Sequence, residues 1–307
     1  MVFEKLSYIE GKNELFTYSS LPNIFFSPDN TALYATNKDN SIIELEIKTG
    51  KIKGTILPSG SHNERITIFT ISNDDKYLLT SEFEDLLKLW DKNSGKLLNE
   101  FYCGDWILDI SISPNNKYVV ALGEGEFNYI WDLSSGDLHR EIKCFCQSHT
   151  ISPDDQYFIC SNRDSEIVIF RIEDGKIIRK LKGHESSVFY VAITPDGDKI
   201  VSVSDDNTIK VWDIKSERVL QEIKVYDYKT EDDFIAYAIL SPDGNNISVP
   251  TDDFLKIWDI TTGVLIQDLP FKYSYITGSV SFSLTYSRDG VYLAMADGKD
   301  IFIWEKK

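Results

Sequence analysis

The chain alternates short apolar runs with polar tetrads at a regular spacing. A Ser or Thr opens each tetrad: "SPDN" at 27, "SNDD" at 72, "SPNN" at 113, "SPDD" at 152, "TPDG" at 194, "SPDG" at 241 and "SRDG" at 287. An apolar run follows each, then a second run in which apolar and polar residues alternate up to a large apolar anchor. Alternation with period two predicts strands, and no long 3.6-residue period competes with it. The tetrads carry the Asp-Gly and Asn-rich chemistry of tight hairpin connections.

The anchors are Leu45, Trp90, Trp131, Phe170, Trp212, Trp258 and Trp304, spaced 45, 41, 39, 42, 46 and 46 residues apart. Seven units therefore fill residues 1–307, read as one domain. A unit of about 40–45 residues with four short strands has the length of a propeller blade. A twisted four-stranded sheet cannot bury both faces alone, so such units stack radially. The expected fold class is all-β: a seven-bladed β-propeller of four-stranded antiparallel blades.

Shorter motifs recur in phase with these units. They are Gly183-His184 and the pairs Trp90-Asp91, Trp131-Asp132, Trp212-Asp213 and Trp258-Asp259, with turns at Ser94-Gly95 and Thr262-Gly263. On these residues the chain resembles the WD-repeat (WD40) propeller family over essentially its whole length. The resemblance implies a ring closed by an N-terminal strand that completes the last blade. Only Glu305, Lys306 and Lys307 follow Trp304, so that strand is expected within residues 3–18. Its phase with "GKLLNEF" favours Gly11–Tyr18, "GKNELFTY", with "FEKLSYI" from Phe3 to Ile9 as the alternative.

His184, Ser202 and Asp206 are the residue types of a hydrolase triad. Their offsets from the turn and the anchor recur as His62, Thr80, Glu84 and Trp90 in the second repeat. They fade to Ser248, Asp252 and Trp258, without a His, in the sixth. A catalytic triad has no reason to recur in graded decay. The resemblance implies instead that His184, Ser202, Asp206 and Trp212 form a structural tetrad. No Gly-rich phosphate loop, H-E-x-x-H or G-x-S-x-G is present, so no catalytic residue is expected.

Charge narrows the partners. With 49 acidic and 32 basic residues the net charge is −17, which disfavours nucleic acid and anionic membrane. No signal peptide and no run of about 18 apolar residues is legible. Four cysteines make no disulfide framework, and a monomer in a reducing cytoplasm is expected. Cys103, Cys144, Cys146 and His149 are the residue types of a zinc site, but Cys-x-Cys is not the usual zinc-loop spacing. They read as core residues, with no metal or cofactor expected.

The function implied by the resemblance is a non-catalytic protein-interaction scaffold. The alternatives are a propeller hydrolase using the central channel, or a sensor or regulatory subunit of a larger assembly. Trp-Asp-x-Arg, which in this family accompanies docking to cullin-type ligases, is replaced by Asn93, Ser134, Lys215 and Thr261 at its fourth position. The residues 7 and 5 before each turn begin the innermost strand and are expected at the channel mouth. The turn residue 7 before each anchor joins them. This rim supplies Phe83, Trp106, Phe145, Phe189, Phe234 and Phe282, interleaved with Glu124, Asp205, Arg65 and Arg163. Aromatic and Arg side chains are enriched in binding hot spots. A basic or apolar peptide segment of another protein is the expected ligand.

Overall fold

Each polar tetrad turns the chain in the same way. The amide of its fourth residue donates to the carbonyl of its first over 2.8 to 3.0 Å. That fourth residue, Asn30, Asp75, Asn116, Asp155, Gly197, Gly244 or Gly290, has φ between 57° and 75°. Only Gly, Asn and Asp tolerate this left-handed conformation cheaply, which explains the tetrad's composition. The opening hydroxyl accepts the amide five residues on, at 2.9 Å from Ala32 to Ser27 and from Tyr118 to Ser113. The Asp of each Trp-Asp pair caps a second turn. Asp259 Oδ1 accepts the amides of Thr261 and Thr262 at 2.9 and 2.8 Å.

The computed structural model describes residues 2–9, 23–82, 85–226, 237–251, 254–271, 283–296 and 300–307. Among them are twenty-eight strands and no helix. The strands form seven four-stranded antiparallel sheets arranged as a β-propeller. Blade five is representative, with strands Val188–Ile193, Lys199–Ser204, Thr208–Asp213 and Arg218–Lys224 in that order. Second strands are buried on both faces, as in Tyr118–Gly123, while fourth strands such as Arg218–Lys224 are mostly exposed.

The core lies between blades. Val201 and Val211 of blade five pack with Ile247 and Trp258 of blade six, and all seven anchors are buried. Polar groups also cross the joints. Ser113 Oγ donates to Asp155 Oδ2 at 2.8 Å, the Leu240 amide donates to Tyr190 Oη at 2.8 Å, and Ser248 meets the Tyr286 hydroxyl at 2.6 Å.

Closure comes from Phe3–Ile9, which pairs antiparallel with Ile301–Lys306 as the fourth strand of blade seven. This corrects the preference for Gly11–Tyr18, which lies outside the described residues. That preference rested on a Gly-Lys turn, and elsewhere such a turn links the third strand to the fourth. At the closing joint the fourth strand arrives from the other end of the chain, so no turn is needed. What selects Phe3–Ile9 is its two ends. Phe3 packs with Tyr286 and Trp304, and its amide and carbonyl both bond the Gln267 side chain at 2.7 Å. Ile9 packs with Ile43 and Leu45 of blade one. Arg288 also spans the joint, its amide on Asn30 Oδ1 and its guanidinium on the Ser72 carbonyl at 2.9 Å.

Removing residues 1–9 therefore exposes the edge of Ile301–Lys306, an invitation to intermolecular pairing. The expected result is a lower melting temperature and concentration-dependent association in sedimentation velocity. A truncated chain that sediments as a monomer with an unaltered melt would contradict closure by this strand.

Candidate functional site

Blade five carries a continuous hydrogen-bond chain. The Trp212 indole N–H donates to Ser202 Oγ at 2.8 Å, Ser202 Oγ meets His184 Nε2 at 2.7 Å, and His184 Nδ1 meets Asp206 Oδ2 at 2.7 Å. Ser202, Trp212 and His184 are all buried. With the indole donating to Oγ and the carboxylate holding Nδ1–H, the serine O–H points at Nε2. Burial alone would raise the Asp206 carboxyl. Hydrogen bonds from His184, Thr208 and the Glu185 amide instead hold it below its ordinary range. The serine has no solvent-exposed surface. The trio is a lock between strands.

Blade two carries the same positions split into two parts. Trp90 Nε1 donates to Thr80 Oγ1 at 2.9 Å, while His62 Nδ1 meets Glu82 Oε1 at 2.7 Å. Thr80 turns its hydroxyl to the Lys88 carbonyl, and His62 Nε2 has no hydrogen-bond partner. Glu84, expected as the acid, lies outside the described residues. The carboxylate on His62 belongs to Glu82, two positions earlier, where Lys88 also pairs with it. Burial would raise Glu82, and hydrogen bonds from Lys88 and His62 bring it below its ordinary value.

The channel-mouth rim is built from backbone irregularities. Arg65, Trp106, Phe145 and Ser187 each stand immediately before the first strand of blades two to five. In each of those strands the pairing register slips near its start: Ile66/Ile68, Ile107/Asp109, Cys146/His149 and Val188/Tyr190. The unpaired residues include Thr67, Leu108, Gln147 and Phe189, the positions 5 before each turn. Bulges of this kind re-aim side chains next to functional sites. Simple period-two reasoning contains no signal for them.

Residues at the two rim positions of one blade do meet. The amide of Glu124 donates to the Trp106 carbonyl at 2.8 Å, and Asp205 makes the same bond to Ser187 at 2.9 Å. In blade four the equivalent pair is Arg163 and Phe145, with the guanidinium carbon 3.9 Å from the ring centroid, a cation–π contact. Trp106 is 55% exposed and Leu108 45%. Phe145 is half-buried beneath Arg163. Phe189 packs on the core between blades five and six, so it offers less free surface than its position implied. Arg65 is half-buried. Phe83, Phe234 and Phe282 lie outside the described residues.

Of Cys103, Cys144, Cys146 and His149, two separate from the rest. His149 binds Ser111 Oγ through Nε2 at 2.7 Å, and Cys103 is buried, its thiol pushed up to about 12 mainly by that burial. A cavity of about 230 Å³ opens on the opposite face, lined by Pro153, Tyr157, Arg179, Ile193 and Ile214 at the turns of blades four and five.

Comparison with known proteins follows the same repeat. Residues 175–213, which include the blade-five tetrad, match the family model described as WD domain, G-beta repeat. Autophagy-related protein 16 of Arabidopsis thaliana is 22% identical over 234 residues, 75% of this chain and 38% of that protein. Protein groucho of Drosophila melanogaster is 26% identical over 173 residues, 53% of this chain and 24% of that protein. GID complex subunit 7 of Schizosaccharomyces pombe is 26% identical over 156 residues, 50% of this chain and 24% of that protein. The chain thus spans well under half the length of these curated relatives.

Trp212→Ala is expected to cost roughly 3–5 kcal/mol through the cavity it leaves, and His184→Ala about 1–3 kcal/mol by stranding Ser202 and Asp206. Denaturant melts measure both. Asp206→Asn adds a pH signature. Because the folded carboxyl lies below its ordinary 3.8, its contribution is full above about pH 5 and is lost as pH falls through and below that value. The wild-type advantage over Asp206→Asn should therefore shrink between about pH 5 and 2. An advantage that stays constant over that range would remove the hydrogen-bonded carboxylate from the lock.

Proposed function

Because the chain belongs to the WD-repeat β-propeller family, we propose that it is a non-catalytic interaction scaffold that seats a segment of a partner protein at the channel mouth. The observation that carries this reading is the bulged rim of blades two to five, above all Trp106 and Leu108. The Trp106 indole and the Leu108 side chain are both about half exposed, at 55% and 45%, at the start of an inner strand. Exposed aromatic surface ringed by polar groups marks interaction sites. Glu124 stands beside it, its amide on the Trp106 carbonyl, Asp205 holds the same rim position in blade five, and the whole chain carries −17. An apolar side chain with a basic neighbour is the complementary ligand, and its approach is steered by charge.

The buried state of Ser202 supports the absence of hydrolase chemistry at the tetrad. Similarity to GID complex subunit 7, by its name a member of an assembly, supports a place within one.

Affinity capture from a native lysate, read by quantitative mass spectrometry, tests the site. Trp106→Ala and Glu124→Lys should each reduce the captured partner at least tenfold while leaving the melting temperature within about 1 °C, as expected for surface positions. Association rates should fall as salt is raised. Undiminished capture by both variants would place the binding surface elsewhere.

A further inference from the structure

Blade four lacks a tetrad, and three cysteines converge where it would be. Its anchor is Phe170, whose side chain has no N–H to donate, so the position that holds Ser202 in blade five is released from that duty. Here it is Cys160, ten residues before the anchor. Cys144 and Cys146 flank Phe145 at the rim, and the strand starting at Cys146 pairs with Tyr157–Asn162, which carries Cys160. Cys146 Sγ lies 2.7 Å from Cys160 Sγ, Cys160 Sγ lies 3.8 Å from Cys144 Sγ, and all three sulfurs fall within 4.8 Å of one another. Cys146 and Cys160 are buried and Cys144 is half-exposed, so the group has one open side toward the channel mouth.

We propose that Cys144, Cys146 and Cys160 form a three-sulfur binding site for a soft monovalent cation, copper(I). Soft thiolates select copper(I) and zinc over hard ions. Structural zinc sites are almost always four-coordinate, and among the described residues no His, Asp or Glu joins this group. Three sulfur donors without a fourth suit the lower coordination of copper(I). Sulfurs each about 2.3 Å from one ion would stand about 4 Å apart. The Cys144–Cys160 separation already matches, and Cys146 Sγ must move outward by about 1.3 Å, a χ1 rotation of about 40°. Binding replaces S–H protons, which leave to solvent, and no oxidation state changes. Asn128 Nδ2 reaches Cys146 Sγ at 3.4 Å and supplies a donor to a thiolate.

The test is an anaerobic titration of the reduced full chain with copper(I) held by the colorimetric chelator bicinchoninate. One equivalent should be withdrawn from the chelator, with ultraviolet copper–thiolate absorption rising in step. Cys103→Ser should behave as the unaltered chain. Cys144→Ser, at the half-exposed position, should keep its fold by circular dichroism. It should bind more weakly by at least the roughly 10–100-fold that loss of an outer-sphere partner costs; Cys146→Ser serves as a second ligand variant. Three results would overturn the assignment: equal withdrawal by the unaltered chain and Cys144→Ser, uptake of zinc(II) but not copper(I), or isolation of the air-protected chain with Cys146 and Cys160 already joined as a disulfide.

Discussion

A four-stranded blade has two apolar faces and cannot cover either by itself, so every blade depends on both neighbours, and the last neighbour relation must be made by closure. Here it is made by seven residues, Phe3–Ile9, laid against Ile301–Lys306. The closing strand serves both of its neighbours, through Phe3 and Gln267 on the blade-six side and through Ile9 on blade one. Arg288 ties the inner ends of blades one, two and seven across the same joint. Without this joint the cores on either side of blade seven lose a wall, and the others lose the ring that holds them in register.

Closure also explains why single blades can lose local order without losing the fold. The full tetrad exists in blade five, and blade two keeps its pieces while the His–Thr link is open. In blade six Ser248 turns to the Tyr286 hydroxyl across the joint instead. In blade four Phe170 keeps the buried anchor but gives up the N–H. Packing of the anchors is the shared requirement, and the polar lock is an addition to it. Positions released from the lock are where distinctive chemistry collects, as the sulfur cluster of blade four shows.

The seven-bladed plan was legible because its turns are fixed by backbone conformation. A left-handed fourth residue demands Asn, Asp or Gly, and those letters recur at every turn. The anchors were legible because a buried large side chain ends each third strand. The closing strand was misplaced because its usual herald, a Gly-Lys turn, marks a connection that the joint does not contain. Glu82 escaped notice because offsets borrowed from blade five put the acid in the turn, whereas in blade two Lys88 stabilises a carboxylate inside the strand. Leu108 and Phe189 reach the rim through bulges, which leave no periodic trace. Cys160 joined Cys144 and Cys146 only through strand pairing, since 14 residues separate it from the nearer of them.

Native-state hydrogen exchange measures closure most directly, because it reports the opening free energy of each amide. If the ring is one cooperative body closed by Phe3–Ile9, the paired amides of that strand and of Ile301–Lys306 should share the slowest, global exchange class with those of Lys199–Ser204 in blade five. Rapid local exchange along Phe3–Ile9, with blade five still globally protected, would contradict closure by this strand.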